Sequence, residues 1–124
     1  MKALIVDDSA VMRKVVLGAL TRADIVDVDQ AADGVEAVNA CKENDYDLVL
    51  MDWNMPNMLG IDAVKAIREL GQTMPIIMVT TEAEKERIVD AVRAGAQNYI
   101  IKPFEPDTIV KKIQAVMEKA NAAK

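Results

Sequence analysis

Ala3-Leu4-Ile5-Val6-Asp7-Asp8 and Leu48-Val49-Leu50-Met51-Asp52 decide the fold. Each is a short apolar run that ends abruptly in carboxylate. Such runs read as strands buried on both faces of a parallel sheet, and parallel sheets bind ligands in the loops beyond their carboxyl ends. The three carboxylates are therefore expected to be neighbours. Like charges brought together resist full ionisation unless a cation sits among them, so the cluster by itself predicts a metal.

Outward from these two runs the chain alternates two hydrophobic periods. Strand-like runs fall near Ala3 to Val6, Val26 to Ala31, Asp47 to Met51, Pro75 to Val79 and Gln97 to Ile101. Helical faces lie between and after them: Met12, Val15, Val16, Ala19 and Leu20; Val35, Val38 and Cys41; Ile61, Val64, Ile67 and Leu70; Ile88, Ala91, Val92 and Gly95; Ile109, Ile113, Val116, Met117 and Ala120. Asp33 with Glu36, and Thr81 with Glu84, have capping-box spacing. Pro106 suits a first helical position, and Gly71 and Gly95 stand where helices should stop. The second run alternates apolar with acidic residues, as a half-solvated edge strand does, whereas the first, third and fourth do not and belong inside the sheet. Right-handed crossovers then give an α/β fold: a doubly wound five-stranded parallel sheet in order 2-1-3-4-5 with five helices, one domain over residues 1–124.

Composition narrows the function. Of 124 residues 52% are apolar but only 3% aromatic, so the core must be aliphatic, with the eight methionines as soft filler. A net charge of −5 disfavours direct nucleic-acid binding and anionic membrane surfaces. The single Cys41 cannot form an internal disulfide and is expected to be a buried thiol in a reducing cytoplasm. No run is long enough to span a membrane, and none at the N-terminus reads as a signal peptide. A cytoplasmic monomer without membrane insertion is expected.

The absence of histidine excludes a Ser-His-Asp triad, a zinc protease site and a histidine base. Oxygen ligands remain. Asp8 and Asp52, supported by Asp7, suit a hard ion that keeps several waters, and Mg²⁺ fits better than zinc or copper. Thr80 after the fourth strand and Lys102 after Tyr99-Ile100-Ile101 should face the same mouth. A carboxylate nucleophile, a metal, a hydroxyl and a cation are the parts that hold a phosphoryl group during in-line transfer.

These residues resemble the receiver domain of bacterial two-component response regulators, in its single-domain chemotaxis type. The resemblance spans essentially the whole chain and rests on Ile5-Val6-Asp7-Asp8-Ser9, on Met51-Asp52-Trp53-Asn54-Met55-Pro56 with Gly60, on Val79-Thr80 and on Lys102-Pro103-Phe104. It implies a flavodoxin-like sheet of the order given above, which is the family's own. By position, Asp52 is implied to take a phosphoryl group from a histidine sensor kinase. Asp8, Asp52 and the backbone carbonyl of Asn54 would hold Mg²⁺, with Asp7 acting through water. Lys102, set by a cis Pro103, would pair with a phosphoryl oxygen, and Thr80 would hydrogen-bond the new group. Asn54 and Glu82 would tune dephosphorylation. Thr81, the fourth helix and Tyr99 form the expected switch, and Lys85, Ile88, Tyr99 and Phe104 the expected output surface, on the face of the fourth helix, fifth strand and fifth helix. Its downstream partner is the flagellar motor switch in chemotaxis-type relatives; a phosphorelay is the alternative. The response is expected to pass to a separate protein, since nothing follows Lys124.

Two positions depart from the family pattern. Leu59 replaces a small polar or acidic residue and is expected to alter loop packing; Thr81 replaces a smaller one and is expected to crowd the phosphoryl pocket. Rival classes fit less well. A flavin carrier would need a hydroxyl- and glycine-rich phosphate loop where Asp7-Asp8-Ser9-Ala10 stands, and an aspartate phosphatase would need a second acid where Asn54 stands. A phosphorylation-independent interaction module would leave all these parts unused.

Overall fold

The structure, a computed structural model, describes residues 1–80, 85–102 and 104–122, the side chains of residues 85, 121 and 122 excepted. Along these residues strands and helices alternate as β1 (Lys2–Val6), α1 (Ala10–Arg22), β2 (Asp27–Ala31), α2 (Gly34–Glu43), β3 (Leu48–Asp52), α3 (Gly60–Glu69), β4 (Ile76–Thr80), α4 (Lys85–Ala94), β5 (Asn98–Ile101) and α5 (Pro106–Ala122). The five strands form one parallel sheet in the order β2-β1-β3-β4-β5, as expected.

Period-two alternation along the strands divides the core into two layers. Ala3, Ile5, Leu48, Leu50, Ile77, Val79 and Ile100 face one side, where α1 and α5 cover them with Val16, Leu20, Ile109 and Ile113. Leu4, Val6, Val49, Met51, Ile76 and Met78 face the other, under Cys41 of α2, Val64 and Ile67 of α3 and Ala91 of α4. Each fully buried Leu, Ile or Met contributes about 1.5–3 kcal/mol, so the central strands carry most of the hydrophobic stabilisation. Cys41 is buried, and burial pushes its thiol up to about 11, which makes it an inert core residue at neutral pH.

Some apolar positions face outward. Val15 and Val92 lie about 100° round their helices from buried Val16 and Ala91, and both are exposed. Val35 and Leu70 are exposed near the two ends of their helices, and Val26 is 78% exposed because β2 starts one residue later. A hydrophobic stripe read from sequence is wider than the face that finds cover.

Helix ends follow the local signals. Asp33 caps α2 by accepting the Glu36 N–H at 2.8 Å, and α5 starts at Pro106. Gly71 and Gly95 take φ of 84° and 118° just past α3 and α4, a region that side chains with a Cβ avoid. The proposed cap of Thr81 and Glu84 lies outside the described residues. Leu59 proves to be the residue before α3, where it offers no side-chain cap at all.

The loop from β3 to α3 turns back hard on its own strand. Gly60 donates its N–H to the Trp53 carbonyl at 2.8 Å, and a Cβ there would stand 2.0 Å from the Asp52 carbonyl oxygen. Gly60→Ala is expected to lower the unfolding free energy by about 2–3 kcal/mol through overpacking. Gly18→Ala, in the open middle of α1, should raise it by about 0.5–1 kcal/mol. Leu59→Ser should add about 1 kcal/mol by supplying the missing cap. Urea unfolding of the three variants checks all three signs.

Candidate functional site

Strand register assembles the site. Val6 of β1 lies beside Met51 of β3, so the next residues on each chain, Asp7 and Asp52, emerge side by side. Asp52 lies beside Val79 of β4, which sets Thr80 one step further along the same end. Thr80 in turn lies beside Ile101 of β5, and its carbonyl accepts the Lys102 N–H at 2.7 Å. Asp7, Asp52, Thr80 and Lys102 therefore share the carboxyl end of the sheet. Asp8, on the same turn as Asp7, completes a trio: one carboxylate oxygen from each of Asp7, Asp8 and Asp52 lies within 4.8 Å of the others.

Burial differs among the three. Asp7 and Asp52 are 3% and 6% exposed, whereas Asp8 is open to solvent. Lys102 extends its ammonium between the buried two, 3.0 Å from Asp52 Oδ1 and 3.2 Å from Asp7 Oδ2. The other Asp7 oxygen accepts the Ser9 N–H at 2.9 Å, and Asp52 Oδ1 also accepts the Trp53 N–H at 3.0 Å. Ser9 caps α1 as well, its hydroxyl accepting from Met12 N at 3.2 Å.

The electrostatics follow from this geometry. Burial pushes the Asp52 carboxyl above the ordinary value near 3.8; Lys102 pulls it back in part, and the Asp7 charge pushes it up again. Burial pulls the Lys102 ammonium down, but the hydrogen bond and charge of Asp52, with those of Asp7, outweigh it and the net direction is up. The ammonium gains from both acids at once and stays charged, whereas for Asp52 the cost of burial outweighs the help of a shared cation. With every group ionised, three carboxylates against one ammonium leave the pocket at −2.

The donor set fits a hard divalent ion. It offers only oxygen, it converges, and it carries more negative charge than its own ammonium offsets. A cavity of about 880 Å³ opens at the opposite end of the sheet beside Tyr46, Met74, Pro75 and Val116. The carboxylates lie away from it, so their chemistry and not cavity size marks the candidate site.

The remaining sequence-derived candidates divide. Asn54 lies exposed in the loop after β3. Tyr99 on β5 is partly buried against the α2–α4 layer, next to Met78 in register, with the Lys112 ammonium 5.2 Å from its ring centroid. Ile88 on α4 is partly buried, and Phe104 packs against the α1/α5 layer. Lys85 opens α4. Thr81, Glu82, Pro103 and the Lys85 side chain lie outside the described residues.

Three supports escaped the sequence reading. Arg13 Nη1 donates to the Asp7 carbonyl at 2.6 Å while its Nε holds Gln30 of β2 at 3.0 Å, fixing the turn that carries Asp7 and Asp8. Asn57, at φ 70°, donates to Asp33 at 2.7 Å and pins the loop carrying Asn54 to the start of α2. Arg87 of α4 lies 5.8 Å above the Trp53 ring. A basic residue one turn into the helix after an acidic pair is a signal for the first; the other two join distant segments and have none.

Comparison with known proteins agrees with this architecture. Residues 3–114 match the response regulator receiver domain family. The chain is 44% identical over 120 residues to a chemotaxis protein CheY homolog of Campylobacter jejuni, covering 94% of this chain and 92% of that one. Among solved structures it superimposes on chemotaxis protein CheY4 of Vibrio cholerae with a TM-score of 0.86 at 39% identity, over 93% of this chain and 97% of the other. A CheY-like receiver domain protein of Methanospirillum hungatei gives a TM-score of 0.91 at 28% identity, over 99% and 98%. CheY in a CheX–CheY–BeF3–Mg²⁺ complex of Borrelia burgdorferi gives 0.86 at 29%, over 94% and 89%. The chain belongs to the response regulator receiver domain family. Among the described residues no helix is long and apolar enough to cross a membrane.

The raised Asp52 carboxyl has a consequence for stability. In the unfolded chain Asp52 ionises near 3.8, whereas the folded protein holds its proton to higher pH, so ionisation costs stability as pH rises through that interval. In a chelating buffer, Asp52→Asn should therefore unfold at a higher temperature than wild type at pH 7. The two should converge below about pH 4. Thermal scans from pH 3 to 7 check this.

Proposed function

We propose that residues 1–124 act as one phosphorylation-switched response regulator domain in which Asp52 is the phosphoryl acceptor. The observation that carries this reading is the convergence of three carboxylates, one ammonium and one buried threonine at the carboxyl end of a single sheet. Such a set suits phosphoryl transfer, where positioning and charge neutralisation supply most of the catalysis.

In the proposed reaction an Asp52 oxygen attacks the phosphorus of a phosphohistidine on a sensor kinase. An O–P bond forms, the N–P bond breaks, and the departing imidazole nitrogen takes a proton from solvent. Asp8 and Asp52, with the Asn54 carbonyl, would hold Mg²⁺, and Asp7 would act through water; the ion when bound supplies positive charge against the phosphoryl oxygens. Lys102, already on Asp52, is placed to follow the charge onto a phosphoryl oxygen. Thr80, buried one step beyond Asp52's neighbour, would hydrogen-bond the new group. The protein is not a turnover enzyme for an outside substrate: it catalyses its own phosphorylation and, with Asn54 and Glu82, its own hydrolysis.

The phosphoryl group adds nearly two negative charges and three acceptors, a large change for a pocket already in excess of negative charge. Drawing Thr80 toward it would strain the segment that follows, Thr81 included, and shift α4 and Tyr99. The partner surface would then be the α4-β5-α5 face with Lys85, Ile88, Tyr99 and Phe104. The CheY relatives support a role in chemotaxis; the donor in this reading is a histidine kinase and the downstream partner the flagellar motor switch. The Borrelia relative, in complex with BeF3 and Mg²⁺, supports the choice of ion. A place in another two-component relay is the second reading.

Incubation with acetyl phosphate and Mg²⁺ should add one phosphoryl mass to the intact protein and change the emission of Trp53, the residue after Asp52. Asp52→Asn should show neither the mass nor the donor-dependent emission change, and Lys102→Ala should be phosphorylated at least tenfold more slowly, about 1.4 kcal/mol of lost transition-state charge stabilisation. Modification of Asp52→Asn at the wild-type rate would rule the assignment out.

A further inference from the structure

Trp53 connects the acceptor to α4. Its backbone N–H holds Asp52 Oδ1 at 3.0 Å, the same oxygen that Lys102 grips, and its carbonyl anchors Gly60 at the head of α3. Its indole is buried, 2% exposed, within the layer that α3 and α4 cover. Over that ring stands the guanidinium of Arg87, on the first turn of α4, with 5.8 Å between its central carbon and the ring centroid. This lies inside the range in which a cation is attracted to an aromatic face. Arg87 is otherwise exposed, at the rim of a groove of about 620 Å³ between α3 and α4 that also borders Trp53. The guanidinium is open to solvent on the groove side, so packing alone does not hold it on the ring.

We propose that Arg87 is a positioning residue for the phosphorylation of Asp52, acting through Trp53. Stacked on the indole, it restrains the peptide whose N–H holds Asp52 Oδ1, and so fixes the direction in which the attacking carboxylate points. Whatever holds α4 with Arg87 on the ring therefore also keeps the Asp52 carboxylate aimed. The inference rests on the reading of Asp52 as acceptor, in which an Asp52 oxygen displaces acetate from acetyl phosphate.

A double-mutant cycle tests it. Initial phosphorylation rates with acetyl phosphate and saturating Mg²⁺ are read by intact-protein mass, on variants first shown to unfold cooperatively. An exposed contact of this kind corresponds to about a two- to five-fold change, so Arg87→Ala should be slower by that factor and Arg87→Lys should recover at least half of the loss. In a Trp53→Leu background, without an aromatic face, Arg87→Ala should cost nothing further; in Trp53→Phe it should still cost. An equal loss in the Leu background would overturn the proposal, because a charge merely attracting the anionic donor acts regardless of the ring. No loss in wild type would overturn it too. Wild-type protein that gains no phosphoryl group is a separate result and removes the acceptor assignment itself.

Discussion

The sheet's register forces Asp7 and Asp52 to emerge side by side, and Asp8 joins them across the turn. Nothing in the backbone can separate these charges without breaking the ladder that the apolar runs create. The fold therefore stores an electrostatic problem at the carboxyl ends of β1 and β3. Lys102 answers it in part from the end of β5, 3.0 and 3.2 Å from the two buried acids. What remains is a pocket with excess negative charge and a carboxylate, Asp52, that burial makes harder to ionise than a free one.

Neighbouring elements convert that problem into a defined geometry. Ser9 and Arg13 fix the turn bearing Asp7 and Asp8, while Gly60, Asn57 and the Trp53 peptide fix the loop after Asp52. The central strands are buried on both faces, so the site rests on the most rigid part of the molecule. Helix α4 rests more lightly, with Val89 and Val92 exposed and Arg87 reaching back over Trp53. A stiff site beside a lightly held helix is the arrangement a switch needs, since a change of charge at one can be answered by movement of the other.

Much of this was legible in the sequence because burial and chemistry coincide at strand ends. Val6-Asp7 and Met51-Asp52 mark where a doubly buried strand meets solvent; the non-alternating runs set strands one, three and four inside the sheet, and the full order, which rests in part on the family resemblance, is the one observed. Pro106, Asp33, Gly71 and Gly95 marked helix ends by local rules. Side-chain partnerships across the fold were not legible: Arg87 on Trp53 and Asn57 on Asp33 join segments 34 and 24 residues apart with no periodic signal. Nor could sequence say that Asp7 is buried while Asp8 is open, since the two differ by one step along a turn. Val15, Val35 and Val92 fit the helical period but lie beyond the covered stripe, because three-residue spacing defines a face and not the width of its neighbour.

Titration calorimetry of Mg²⁺ into wild-type protein and into Lys102→Ala tests the charge balance most directly. If the acids at the end of the sheet are held together against their repulsion, both proteins bind one ion. The variant, relieved of the competing ammonium, binds it more tightly. Absence of binding to wild type, or an affinity that Lys102→Ala leaves unchanged, would contradict this account.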